Sequence, residues 1–218
     1  MDEVAAWQET QQRVCALVER VGPERMEQHA PATPDWTGRD LLAHMVGLGA
    51  DVLAGDEPDD HNPGWTQAQV DARRDRSAAE IVEEWRDLAG DLMIWMRENG
   101  ARPLGDAIIH EQDLRGAVGE SGAQDTPAFA LVRERMAERF SASSDDPAGL
   151  ALAGETWTLG DPETAAVVVQ ASDFDLGRAL MSRRSADQLR AWTVRGDVAP
   201  WLASFEVLGP LPDVDLTD

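Results

Sequence analysis

The sequence predicts an α+β chain, with an antiparallel four-helix bundle over residues 1–120 and a small α+β unit over 125–218. Three observations predict it. Through Val118 the apolar residues recur at helical spacing between recognisable caps, so each segment has one face to bury. At Gly119-Glu120-Ser121-Gly122-Ala123-Gln124-Asp125 the composition turns small and polar, as a domain boundary does. Beyond it, short strand-like runs alternate with helical segments, the pattern of a small mixed unit.

In the first half, Val4, Trp7, Val14, Leu17, Val18 and Val21 mark an amphipathic helix over 3–21, which Gly22-Pro23 stops. Cys15 falls off its main stripe, so it reads as a small filler rather than a nucleophile. Residues 23–35 carry Pro23, Pro31 and Pro34 and read as a loop or short helix, with His29 exposed in it. Thr37 then caps a second helix, with Asp40 three residues on completing a capping box. Leu41, Met45, Leu48 and Val52 form its stripe, and His44 falls at the edge, looking sideways into a bundle. The turn-rich, acidic stretch 55–64 contains His61, which reads as solvated and ranks behind the other histidines as a site residue. Trp65 to Arg76 follows as a short helical arm. Ser77 and Glu80 make another capping box, after which Ile81, Trp85, Leu88, Leu92 and Trp95 mark a long helix ending at Asn99-Gly100. Pro103 suits the first turn of the fourth helix.

In the second half, Thr126 and Pro127 open a helix carrying Phe129, Val132, Met136 and Phe140. A Ser/Asp/Pro/Gly linker over 141–149 leads to strand-like runs at 150–153, 155–159 and 165–170. Ser172 and Ser185 start two further helices, the second with Gln188 completing a capping box. Phe205-Glu206-Val207-Leu208 reads as a last strand.

Composition narrows the function. With 41 acidic against 19 basic residues the formal charge is −22, so a phosphate backbone or an anionic membrane would be repelled. Arg73-Arg74-Asp75-Arg76 and Arg183-Arg184 are short, partly neutralised exceptions, suited to a small anion or to surface solvation. Every basic residue is Arg, and there is no Lys and no Tyr, which suggests a high-GC bacterial genome. No secretory leader is evident and no apolar run nears the ~18 residues that span a bilayer, so a cytoplasmic protein is expected. The single cysteine excludes an intramolecular disulfide and a cysteine metal cluster.

The chemistry concentrates in Asp106-Ala107-Ile108-Ile109-His110-Glu111-Gln112-Asp113. At i, i+4 and i+7, Asp106, His110 and Asp113 project from one helical face, beside apolar Leu104, Ala107, Ile108, Leu114 and Val118. One helix can therefore offer a carboxylate and an imidazole to one metal ion, and His44 upstream supplies a second imidazole. The plainer alternatives are a solvated His–Asp pair and a core-edge histidine bonded to a backbone carbonyl.

The Trp36-Thr37-Gly38-Arg39-Asp40-Leu41-Leu42-Ala43-His44 block, the Asp106-x-x-x-His110-Glu111-Gln112-Asp113-Leu114-Arg115 block, and Ser182-Arg183-Arg184-Ser185 followed by Arg195-Gly196-Asp197 together resemble the mycothiol-dependent maleylpyruvate isomerase family. The resemblance implies a DinB-like metal-binding bundle joined to a small α/β domain. It also implies a divalent ion, zinc by preference, held by His44, Asp106 and His110. The family pattern carries Glu where this chain has Asp106, so the shorter arm brings the helix closer, or acts through water, or yields to Glu111 or Asp113, or the site is degenerate. Two histidines and a carboxylate with an open fourth position suit catalytic zinc, and the same ligand types suit nickel, manganese or iron. In the family reaction the mycothiol thiol adds to the cis double bond of maleylpyruvate, the new single bond rotates, and elimination gives fumarylpyruvate. The implied partners are a low-molecular-weight thiol and a small, carboxylate-bearing electrophile, with Arg183 or Arg184 as the carboxylate grip or else as structural ion pairs. A thiol S-transferase would use the same parts. The rival reading is a non-enzymatic binding or stress-associated protein.

Overall fold

A computed structural model describes residues 1–58 and 62–217; His61 lies outside the described residues. The chain forms two compact units, Met1–Ala123 and Gln124–Thr217. Helix dominates the first, and the second holds a four-stranded sheet.

The first unit begins with α1, Glu3–Val21, capped by the Asp2 carboxylate, which accepts from the backbone N–H groups of Val4 and Ala5. A short α2, Pro23–Met26, leads into the hairpin strands β1, His29–Ala30, and β2, Thr33–Thr37. The sequence reading of 23–35 as loop or short helix catches α2 and misses the hairpin. Its prolines mask strand character, and its two strands are short with an irregular register. Thr37 ends β2 and caps α3, Gly38–Ala54, with both halves of the Thr37–Asp40 capping box formed. Then come α4, Pro63–Asp71, α5, Ala78–Asn99, with the Ser77–Glu80 capping box formed, and α6, Arg102–Val118. Gly119, at φ +65°, closes α6 in the left-handed region that a residue with a Cβ rarely enters.

Helices α1, α3, α5 and α6 pack in a closed cycle, α1 against α5 and α6, and α3 against the same two. Each therefore buries two faces, which corrects two expectations. Cys15 is only 2% exposed instead of lying off the packed stripe, because α1 meets α6 as well as α5. His44 is 4% exposed rather than at an edge, because α4 covers the side of α3 that α5 and α6 leave open. Trp7 and Trp85 meet edge to face between α1 and α5, at 6.2 Å between ring centroids. A triad around a buried carboxylate ties α6 to α1: Glu111, fully buried, accepts from half-buried Arg13 at 2.7 Å and from buried Arg115 at 3.0 Å.

In the second unit α7, Pro127–Ser143, is capped by Thr126 and buries Phe129, Val132, Met136 and Phe140. Strands β3, Leu150–Ala153, β4, Thr158–Leu159, and β5, Val167–Gln170, precede α8, Asp173–Leu180, α9, Ala186–Ala191, and β6, Thr193–Arg195. The sheet order is β4-β3-β5-β6, with β3 and β5 parallel and both outer pairings antiparallel. Ser172 and Ser185 cap α8 and α9 as expected, the second within a capping box. The strand expected at 205–208 is absent. Phe205 instead ends a 3₁₀ helix over Ala199–Phe205, Val207 and Leu208 lie in a turn, and the last strand is β6. Phe205 is drawn out of any sheet by Phe140, at 4.7 Å between rings, and its carbonyl accepts from the Ser182 hydroxyl at 2.7 Å. An apolar run that packs on a helix has no need of a ladder.

Candidate metal centre

Three donors converge in the first unit. The α3 capping box fixes where that helix starts and hence which way His44 faces; on α6, Asp106 and His110 are one turn apart. Asp106 Oδ1 lies 3.2 Å from His44 Nε2 and 3.5 Å from His110 Nε2. One donor atom from each residue falls within 4.8 Å of the others. The two imidazoles meet edge to face at 4.9 Å, so both Nε2 atoms face the carboxylate without stacking.

The outward nitrogens are also engaged. His110 Nδ1 is 3.0 Å from Asp113 Oδ2, a fully buried carboxylate that can only accept, so Nδ1 carries the proton. His44 Nδ1 is 2.6 Å from Gln69 Oε1. Each ring thus donates outward and turns its Nε2 inward, the arrangement that orients metal-binding histidines. The donor set fits a divalent ion: two imidazole nitrogens and one carboxylate oxygen, with no fourth His, Cys, Asp or Glu joining the group among the described residues.

The three candidate carboxylates have separate tasks. Asp106 faces both Nε2 atoms, Asp113 backs His110, and Glu111 is consumed by Arg13 and Arg115. Burial works against a charged His44, but Asp106, by proximity and by hydrogen bonding, outweighs it and raises the pKa of His44 above its ordinary value of 6.5. Trp36, at the end of β2, stands against His44 with ring centroids 5.2 Å apart, and its indole N–H donates to Gln67 Oε1 on α4 at 3.1 Å.

Residues 7–104 match the family described as the mycothiol maleylpyruvate isomerase N-terminal domain. A crystal structure of a histidine-to-alanine mutant of mycothiol-dependent maleylpyruvate isomerase superposes with a TM-score of 0.56 at 16% identity, covering 82% of this chain and 87% of that one. In sequence and in fold, the chain resembles the mycothiol maleylpyruvate isomerase family. No curated protein matches it significantly. The family match takes in His44 and ends at Leu104, before Asp106 and His110.

The remaining candidates lie elsewhere. Arg183 and Arg184 belong to the second unit and are buried, the latter 1% exposed. Arg184 donates to Asp175 Oδ1 through Nε at 3.0 Å and Nη2 at 2.9 Å, and through Nη1 to the Arg183 carbonyl at 2.7 Å. Arg183 donates to the Met181 carbonyl at 3.1 Å. Arg73, Arg74 and Arg76 are paired with Glu84 and Asp71 rather than presented as an anion site. His29 is exposed, as the sequence suggested. Cys15 is a buried thiol whose pKa burial pushes up to about 11, so almost none of it is thiolate at neutral pH. Sequence reasoning missed Gln69 and Trp36. A glycine inside α3, Gly47, was the signal available for the first, since it marks a close approach by another element.

Proposed function

We propose that this protein is a metal- and mycothiol-dependent enzyme, an isomerase of the maleylpyruvate type or a transferase using the same thiol. The observation that carries the reading is the convergence of His44 Nε2, His110 Nε2 and Asp106 Oδ1, with each outward Nδ1 already committed to a buried acceptor. We read α1, α3, α5 and α6 as the DinB-like four-helix bundle in which such sites are built from facing helices. His44 and Asp106 with His110 would hold a divalent ion, zinc by preference. Bound there, the ion supplies Lewis acidity that favours thiolate over thiol near neutral pH.

The chain's own residues define the rest. Gln69 and Asp113 keep the Nδ1 protons pointing away from the centre, and Trp36 walls one side of it. Cys15 takes no part, because its high pKa denies it the thiolate form, so the sulfur comes from an external thiol. The family resemblance supports mycothiol as that thiol and a small cis-unsaturated keto acid as the electrophile. Arg184, spent on Asp175, and Arg183, buried and donating to the Met181 carbonyl, support the structural reading of both residues over that of a carboxylate grip.

The test is metal analysis of protein purified without a His tag, followed by calorimetry with mycothiol. About one divalent ion per chain is expected from a single three-ligand site, with mycothiol binding that depends on it. Metal-loaded protein that ignores mycothiol would remove the enzyme reading and leave a metal-binding protein without this chemistry.

A further inference from the structure

An interior glycine in α3 and a short helix outside the four-helix cycle lead to the same atom. Gly47 lies one turn beyond His44, and a Cβ there would meet the Gln69 side chain at 2.4 Å. A helix-interior glycine costs about 1 kcal/mol against alanine, so the space it leaves calls for an occupant. Gln69, 2% exposed, is that occupant. Its backbone is held in place by buried Arg73, which donates to the Gln69 carbonyl at 3.1 Å while pairing with Glu84 on α5. Its side chain spans two groups. Gln69 Nε2 donates to Asp51 Oδ2 at 2.7 Å, and Gln69 Oε1 lies 2.6 Å from His44 Nδ1. A carboxylate only accepts, so the amide nitrogen must face Asp51 and the amide oxygen must face His44. Against an oxygen, His44 Nδ1 must carry its hydrogen.

We propose that Asp51 and Gln69 are positioning residues for His44: they form a relay that holds the proton on Nδ1 and so reserves Nε2 for the metal. The proposal rests on the metal reading of the site and adds to it a reason for α4. The two histidines are backed differently, His110 by the Asp113 carboxylate directly and His44 by a neutral amide with its carboxylate one step removed. An amide can turn either its oxygen or its nitrogen to the ring whereas a carboxylate only accepts, which makes His44 the ligand whose orientation depends on its backing.

The experiment uses the full chain in two states, with Gln69→Met, which removes the acceptor at similar length, and Gln69→Glu, made together with Asp51→Asn so that the new carboxylate meets an amide donor instead of a second carboxylate, which restores it. In metal-free protein brought to a pH at which the His44 ring is neutral, nitrogen-resolved NMR should show its single ring proton on Nδ1, in slow exchange, with Nε2 unprotonated. That signal should be lost in Gln69→Met and kept in Gln69→Glu with Asp51→Asn. Zinc affinity, by chelator competition, should fall about 10- to 100-fold in Gln69→Met and recover in Gln69→Glu with Asp51→Asn, the range for groups that back a ligand. Asp51→Asn alone should give a smaller loss, since a neutral partner no longer dictates which way the amide faces. Fast exchange of Nδ1–H in the parent protein, or undiminished zinc affinity in a folded Gln69→Met, would overturn the relay. A parent protein that shows the protected Nδ1–H but takes up no zinc would instead overturn the metal reading and leave the hydrogen-bonded relay in place.

Discussion

Both units bury charged and polar side chains, and they do it to opposite ends. In the second unit Arg184 is turned onto Asp175 and a backbone carbonyl, so its hydrogen-bonding capacity is spent where it sits. Around His44 and His110 the outward valences are satisfied by Gln69 and Asp113 while the inward lone pairs are aimed at one point. Burial of polar groups is costly in either place. What separates a structural cluster from a site is whether the last valence is closed by the protein or reserved for something else.

The largest effect that would break this contrast comes from the inward donors. His44→Ala or His110→Ala removes one of three ligands, and metal occupancy should fall from about one ion per chain to background. Retention of metal by both variants, measured by elemental analysis without a His tag, would show that the convergence is not the binding site. Asp106→Ala should weaken binding, and loss in Asp113→Ala should be smaller because that carboxylate acts through His110.

Arg184→Ala sharpens the other side. It leaves Asp175 without its guanidinium partner and empties a buried position, so thermal or denaturant unfolding should show roughly 3–5 kcal/mol of destabilisation, the range for breaking a buried pair, reduced to the extent that Asp175 reaches water. Metal content should not change. An undiminished stability with lost turnover would move Arg184 from structure to catalysis.

The pH dependence of metal uptake is a smaller, graded effect. Burial disfavours the His44 imidazolium, Asp106 favours it more, and the net pKa is raised. A proton on Nε2 competes with the metal there, so affinity should climb as pH rises through that raised value and level off above it. In metal-free protein the sign is the reverse. The His44–Asp106 pairing stabilises the fold fully below the ordinary value of 6.5, and that contribution is lost as pH rises through the raised one. Metal-free protein that gains stability across that window would contradict the pairing.

The fold was legible wherever local chemistry decides it. The Thr37, Ser77 and Ser185 capping boxes formed as read, because their donors and acceptors lie within four residues. The spacing of Asp106 and His110 likewise put both on one face of α6. What local sequence does not carry is which faces other elements cover. Cys15 and His44 look peripheral on a single-stripe helix and are buried because their helices meet several partners. Phe205 looked like strand and instead follows Phe140. Gln69 has no motif, and its role comes from the long-range approach of α4 to α3, which Gly47 permits.

The smallest effect concerns Cys15, and it tests the contrast from the chemistry side. A thiol that is 2% exposed, with burial pushing its pKa to about 11, has closed its valence as Arg184 has, though by desolvation instead of pairing. Two consequences follow from the same cause. Alkylating reagents at neutral pH should leave native protein unmodified and label it only on unfolding, since thiolate and access are both missing. Cys15→Ala should cost about 1 kcal/mol, the scale for deleting one small buried group, and leave metal content and any thiol-dependent turnover unchanged. Rapid labelling of folded, metal-loaded protein with parallel loss of activity would show a reactive cysteine, and would replace the external thiol with an intrinsic nucleophile.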